Sequence, residues 1–138
     1  MKRLLDLSLL FKLVAILELA YALTGLLPPE ILSSVTGWRL SADGQWVTKL
    51  LAVALAAQAW VAWTLRRQPH VGVAKGLAFY QIGSATADWV MWLVLADNDV
   101  FSTPMAKALV IFAIPTHYLL GFLIIAATRT PAARHSMT

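Results

Sequence analysis

The chain has 138 residues, 59% of them hydrophobic and 13% charged, with a net charge of +4 and no cysteine, and its mean hydropathy is +0.71. Soluble domains carry roughly 25% charged residues to meet water, so this composition excludes an ordinary soluble domain and points to lipid as the main solvent. The missing thiols exclude disulfides, thiolate metal sites and cysteine nucleophiles. The length suits one domain, 1–138, and no basic stripe is interleaved with aromatics, which argues against nucleic acid as a partner.

A membrane span needs about 20 mostly apolar residues at ~1.5 Å rise each to cross a ~30 Å hydrocarbon core. Four segments qualify, in chain order. The first covers about 5–27 and is ended by Pro28-Pro29. It follows Met1-Lys2-Arg3, but it is too long for a signal-peptide core and no Ala-x-Ala-like site follows, so it reads as a retained span. The loop 28–45 comes next, with a short interfacial helix expected over 29–35 and Gly37 ending it. The second span covers about 46–65 and is ended by Arg66-Arg67. The third covers about 71–96 and stops at Asp97-Asn98-Asp99. The fourth covers about 105–128, entered through Ser102-Thr103-Pro104 and ended by Arg129 and Pro131. Alternation is absent, which argues against strands. The predicted fold is all-α, a four-helix antiparallel membrane bundle.

Orientation follows from the Lys/Arg bias. Lys2, Arg3, Arg66, Arg67, Lys75, Arg129 and Arg134 share one side; Arg39, Lys49 and Lys107 lie on the other with Glu30, Asp43, Asp97 and Asp99. Both termini are therefore expected in the cytoplasm, in a bacterial inner membrane. Trp38, Trp46, Trp60, Trp63 and Trp89 read as an interfacial aromatic belt, and Trp92 as a candidate for pocket lining.

The informative residues lie at bilayer depth. Glu18, Gln58, Gln81, Asp88 and His117 fall within roughly 6 Å of the midplane, at least one from each span. An ionisable group in hydrocarbon costs about 2.5–3.5 kcal/mol on insertion scales, so these side chains are expected to turn inward and meet. Helical spacing agrees. Phe11, Ala15, Glu18, Ala22 and Gly25 form one stripe; Leu51, Ala54, Gln58 and Ala62 a second; Leu77, Gln81, Ser84, Asp88 and Trp92 a third; Ala113, His117 and Gly121 a fourth. Small residues flank each polar one, as on helix contact faces in membranes. Pro115, two residues before His117, predicts a kink.

A metal site would take Glu18, Asp88 and His117 singly from different helices, with no Glu-x-x-His, and haem would have only His117 at depth, so no metal is assigned and no cofactor is identified. Hydrolysis by Ser84, His117 and Asp88 lacks a nucleophile motif. A Glu in the first helix resembles the small multidrug transporters, without their following Gly-Thr motif. Buried carboxylates with a His resemble the emopamil-binding family in residue type, and the length and span count resemble DoxX-like bacterial proteins; no motif is shared, and no family is assigned.

The leading expectation is a site for a hydrophobic or amphipathic small molecule such as a lipid, quinone or terpenoid. Glu18, Asp88 and His117 would hold its polar end, or act as acid and base in an isomerase. Gln58, Gln81 and Tyr80 would assist, and Tyr21 and Trp92 would line the apolar part. The alternatives are an accessory subunit of a larger membrane complex and a proton-coupled transporter. Expected partners are membrane lipids, the small molecule itself, and further copies or subunits.

Overall fold

The computed structural model describes residues 6–94 and 103–129. They form five helices and no strand: α1 Leu7–Leu26, α2 Pro29–Thr36, α3 Ala42–Leu65, α4 Val71–Val94 and α5 Pro104–Thr128. The expected third-span end at Ala96, the Asp97-Asn98-Asp99 stop, Ser102, the 130–138 tail, and Lys2, Arg3 and Arg134 of the charge count lie outside the described residues. Three helices, α1, α3 and α5, are long and apolar enough to cross a membrane, as an integral membrane protein requires. α4 is as long as α3, with 24 residues, but it carries Lys75, Tyr80, Gln81, Ser84, Thr86 and Asp88.

The helix ends follow from local chemistry. Asp6 accepts from the Ser8 N–H to start α1, and Pro28, which cannot continue a helix, follows its end. α2 begins on Pro29 and ends at Gly37, whose φ of 75° is the left-handed conformation that glycine adopts without strain. Ser41 accepts from the Gly44 N–H, so α3 starts at Ala42, earlier than the expected Trp46. At its other end the Arg66 guanidinium lies 4.0 Å from the Trp63 ring centroid and donates to the Trp63 carbonyl. Thr103 caps α5, and Pro104 occupies its first turn. α5 stays helical through Pro115, whose side chain is exposed.

Packing pairs α1 with α3 and α4 with α5, and α1 also meets α4 and α5. One buried cluster joins Leu10, Phe11 and Val14 of α1, Ala62 of α3, Ala74 and Leu77 of α4, and Leu120 and Ile124 of α5. Two glycines set how closely the pairs approach. A Cβ added at Gly25 would lie 2.9 Å from the Ala52 Cβ, and one at Gly121 would lie 2.6 Å from Ile82 Cγ1. At the Gly25 end, the Lys49 ammonium of α3 donates to the Gly25 and Leu27 carbonyls. It thereby satisfies carbonyls that the end of α1 leaves without helical partners.

The hydroxyls of Thr24, Thr86 and Thr116 bond back to carbonyls four residues earlier, which removes their need for water. Large apolar side chains point outward instead, among them Ile16, Trp60, Phe79, Leu93 and Phe122. In lipid this is the low-energy arrangement.

The close contact at Gly25 generates a test. Gly25→Val should cost about 1–3 kcal/mol, because the rigid Ala52 Cβ cannot yield. Gly76→Ala, where an added Cβ meets nothing within 4 Å, should be neutral or slightly stabilising. Equilibrium unfolding in mixed micelles reads both; an undisturbed Gly25→Val would contradict the packing of α1 on α3.

Candidate functional site

Glu18 and Gln81 are 0% exposed and His117 is 4% exposed, on α1, α4 and α5 respectively. They form one hydrogen-bonded chain. The Gln81 Nε2 donates to Glu18 Oε1 (2.5 Å). The other end of the same carboxamide, Oε1, accepts from His117 Nδ1 (2.5 Å). Tyr21, one turn beyond Glu18, stacks on the imidazole with ring centroids 5.5 Å apart and planes 19° apart. Glu18 Oε2 is buried without a partner among the described residues.

Neighbouring residues explain why these helices can bring such groups together. Ala15, Ala22 and Gly25 lie on the buried stripe of α1 with Glu18, and Ala113 and Gly121 flank His117 one turn away on each side. Small side chains let the backbones approach until a glutamine can span the gap. A carboxamide suits the bridging role because it offers a donor at one end and an acceptor at the other.

A cavity of about 290 Å³ adjoins this chain. Its walls are mainly apolar: Leu51, Ala52 and Leu55 of α3, Leu109, Val110 and Ala113 of α5, and Leu32 and Val35 of α2. Its polar lining comes from Tyr21, Tyr80, Ser84, Asp88 and His117, with Thr24, Thr36 and Thr48 on other walls. His117 therefore belongs both to the buried chain and to the cavity, while Glu18 and Gln81 lie behind it. The volume is near the lower end of small-molecule sites, which span roughly 300–1,000 Å³.

The eight residues singled out from the sequence are placed as follows. Glu18, Gln81 and His117 are bonded into one chain. Tyr21, Tyr80, Asp88 and His117 line the cavity. Asp88 is half-buried and lines the cavity. Gln58 and Trp92 do not line this cavity.

The reason for Gln58 is the rotation of α3. Its buried residues are Ala52, Leu55, Ala59 and Ala62, whereas Leu51 and Ala54 are exposed and Gln58 is half-buried. The close contact with α1 selects the face carrying Ala52, Ala59 and Ala62, not the face carrying the carboxamide. Trp92 lies one turn beyond Asp88, the last α4 residue on the cavity wall.

Trp38 and the buried face of α2 were not anticipated. Trp38 lines the cavity, and its Nε1 is buried without a partner among the described residues. Its backbone is pinned between Thr36 and Ser33: the Trp38 N–H donates to Thr36 Oγ1, and its carbonyl accepts from Ser33 Oγ. The available sequence signal was the Leu32/Thr36 spacing, one turn apart on an amphipathic helix that ends at glycine. Among the described residues, no group of three or more His, Asp or Glu side chains is arranged to hold a metal ion.

No known family model matches the chain, and no curated protein or solved structure matches it.

If Gln81 bridges as described, its loss leaves two buried groups without partners. Gln81→Leu should cost about 1–3 kcal/mol, and Gln58→Leu less than about 0.5 kcal/mol. Parallel unfolding curves in mixed micelles check the contrast, and equal costs would remove Gln81 from its bridging role.

Proposed function

We propose that the protein is a four-span antiparallel membrane bundle that holds a hydrophobic or amphipathic small molecule, of lipid, quinone or terpenoid type, between its helices. The observation that carries this reading is the cavity of about 290 Å³, apolar on most walls and polar where His117, Asp88 and the two tyrosines meet. Such a combination suits a guest with one polar end. The accessory-subunit alternative needs no cavity. A proton-coupled transporter would act through Glu18 or Asp88; Glu18 lies behind His117, which leaves Asp88, on the cavity wall, as the residue for that reading. An isomerase form would use Asp88 as proton donor and His117 as base, because both line the cavity.

The spanning role of α4 is part of the same proposal. Its polar residues Gln81, Ser84 and Asp88 turn to the chain or the cavity, while Phe79, Val90 and Leu93 are exposed to the surroundings. The cytoplasmic face is assigned to the end bearing Arg66, Arg67, Lys75 and Arg129. Because the chain has no cysteine, single cysteines report topology without background. Cysteines at Gln68 and Thr103, on either side of α4, should be labelled by an impermeant maleimide from opposite sides; labelling from one side would refute a span by α4.

Mass spectrometry of lipid extracts from the purified protein tests the binding reading. A stoichiometric small molecule is expected from the wild type. Ala113→Phe, which fills the cavity beside His117, should reduce it roughly tenfold or more. An empty wild type, or equal retention by the filled variant, would overturn the proposal.

A further inference from the structure

The hydrogen-bonding character of His117 toward the cavity is set two residues away. Gln81 directs its Nε2 to Glu18 and its Oε1 to His117 Nδ1. Glu18 Oε1 accepts whether or not the other carboxyl oxygen, Oε2, carries a proton. Once the N–H end of the amide is committed to Glu18, only the carbonyl end remains for His117. A carbonyl accepts, so Nδ1 must carry the ring proton. In the neutral imidazole Nε2 is then the unprotonated nitrogen, an acceptor. His117 lines the cavity, and with Nδ1 occupied, Nε2 is the ring nitrogen left for a guest. Tyr21, stacked on the imidazole, holds its plane.

We infer that Gln81, by fixing the His117 tautomer, makes the cavity select amphipathic molecules whose polar end is a hydrogen-bond donor, an alcohol or phenol, over their carbonyl analogues. The inference rests on the binding reading above and names the chemical class of its guest. A hydroxyl donates to Nε2. An aldehyde or ketone oxygen in the same place sets a lone pair against a lone pair and leaves both acceptors unmatched beside an apolar wall. The hydroxyls of Tyr21, Tyr80 and Ser84 rotate to suit either kind of partner and add no preference of their own, and the Asp88 carboxyl on the same wall, an acceptor when ionised, favours the same donor guest. Gln81 touches no guest; it is a positioning residue acting through His117.

The test uses the full chain in lipid nanodiscs, with geraniol and geranial as probes that differ only in alcohol against aldehyde. Calorimetric titration should find geraniol bound about tenfold or more tightly than geranial. Gln81→Leu, which releases the tautomer, should narrow that gap to about threefold or less. Nitrogen-15 spectra of histidine-labelled wild type, with His117→Gln assigning the resonances, should show Nδ1 protonated and Nε2 bare, and Nε2 should shift when geraniol is added. Equal affinities, tighter binding of geranial, or a ring protonated at Nε2 would each overturn the inference while leaving the binding reading in place. Failure of both probes to bind would remove the binding reading and the inference together. The wild-type comparison and the spectra decide the matter even if Gln81→Leu does not fold.

Discussion

A carboxyl group, a carboxamide and an imidazole buried among apolar helices turn to one another, because the apolar side chains around them offer no partners. That constraint organises the molecule. Glu18, Gln81 and His117 come from three helices, and a single glutamine joins the other two through its opposite ends. The arrangement fixes the rotation of α1, α4 and α5 about their own axes, since turning any one of them would strand a partner. Close packing then follows from the residues around the chain. Gly25 against Ala52 and Gly121 against Ile82 bring the paired helices near enough for side-chain contact.

The cavity is the complement of this packing. Below His117 the interior is filled by Leu10, Phe11, Val14, Leu77 and Ile124. On its other side the helices leave space, closed partly by α2 and Trp38. His117 stands at the boundary, with one ring nitrogen committed to the buried chain and the ring on the cavity wall. A group held so firmly from behind is suited to recognise a guest by hydrogen-bond polarity as well as by shape. The Trp38 Nε1, buried without a partner among the described residues, is a second polar feature on the α2 side of the site.

Much of this was legible in the sequence where polarity and smallness coincide. On α1 the stripe Phe11, Ala15, Glu18, Ala22 and Gly25 is buried as expected. On α5 the same holds for Ala113, His117 and Gly121. In both cases the polar residue and the small residues that allow close approach share one face, so either signal gives the same rotation. On α3 they conflict. The carboxamide of Gln58 suggested one face, whereas the alanines at 52, 59 and 62 pack inward. Helix contact outweighed a neutral polar group that half-burial can accommodate. The cavity itself was not legible, because a void depends on the relative positions of five helices. Trp38 was missed for a related reason. An aromatic beside a predicted span end matches an interfacial belt, and only the fold of α2 brings it inward.

The direct test of the central claim is a double-mutant cycle between Glu18 and His117, with Glu18→Leu, His117→Leu and the double variant unfolded in mixed micelles. Both residues bond to Gln81, and among the described residues no hydrogen bond joins them directly, so coupling between them reports the shared carboxamide. The account predicts a coupling energy of about 1 kcal/mol or more. Strictly additive effects would contradict it, since they would mean that the two buried groups do not depend on a shared partner.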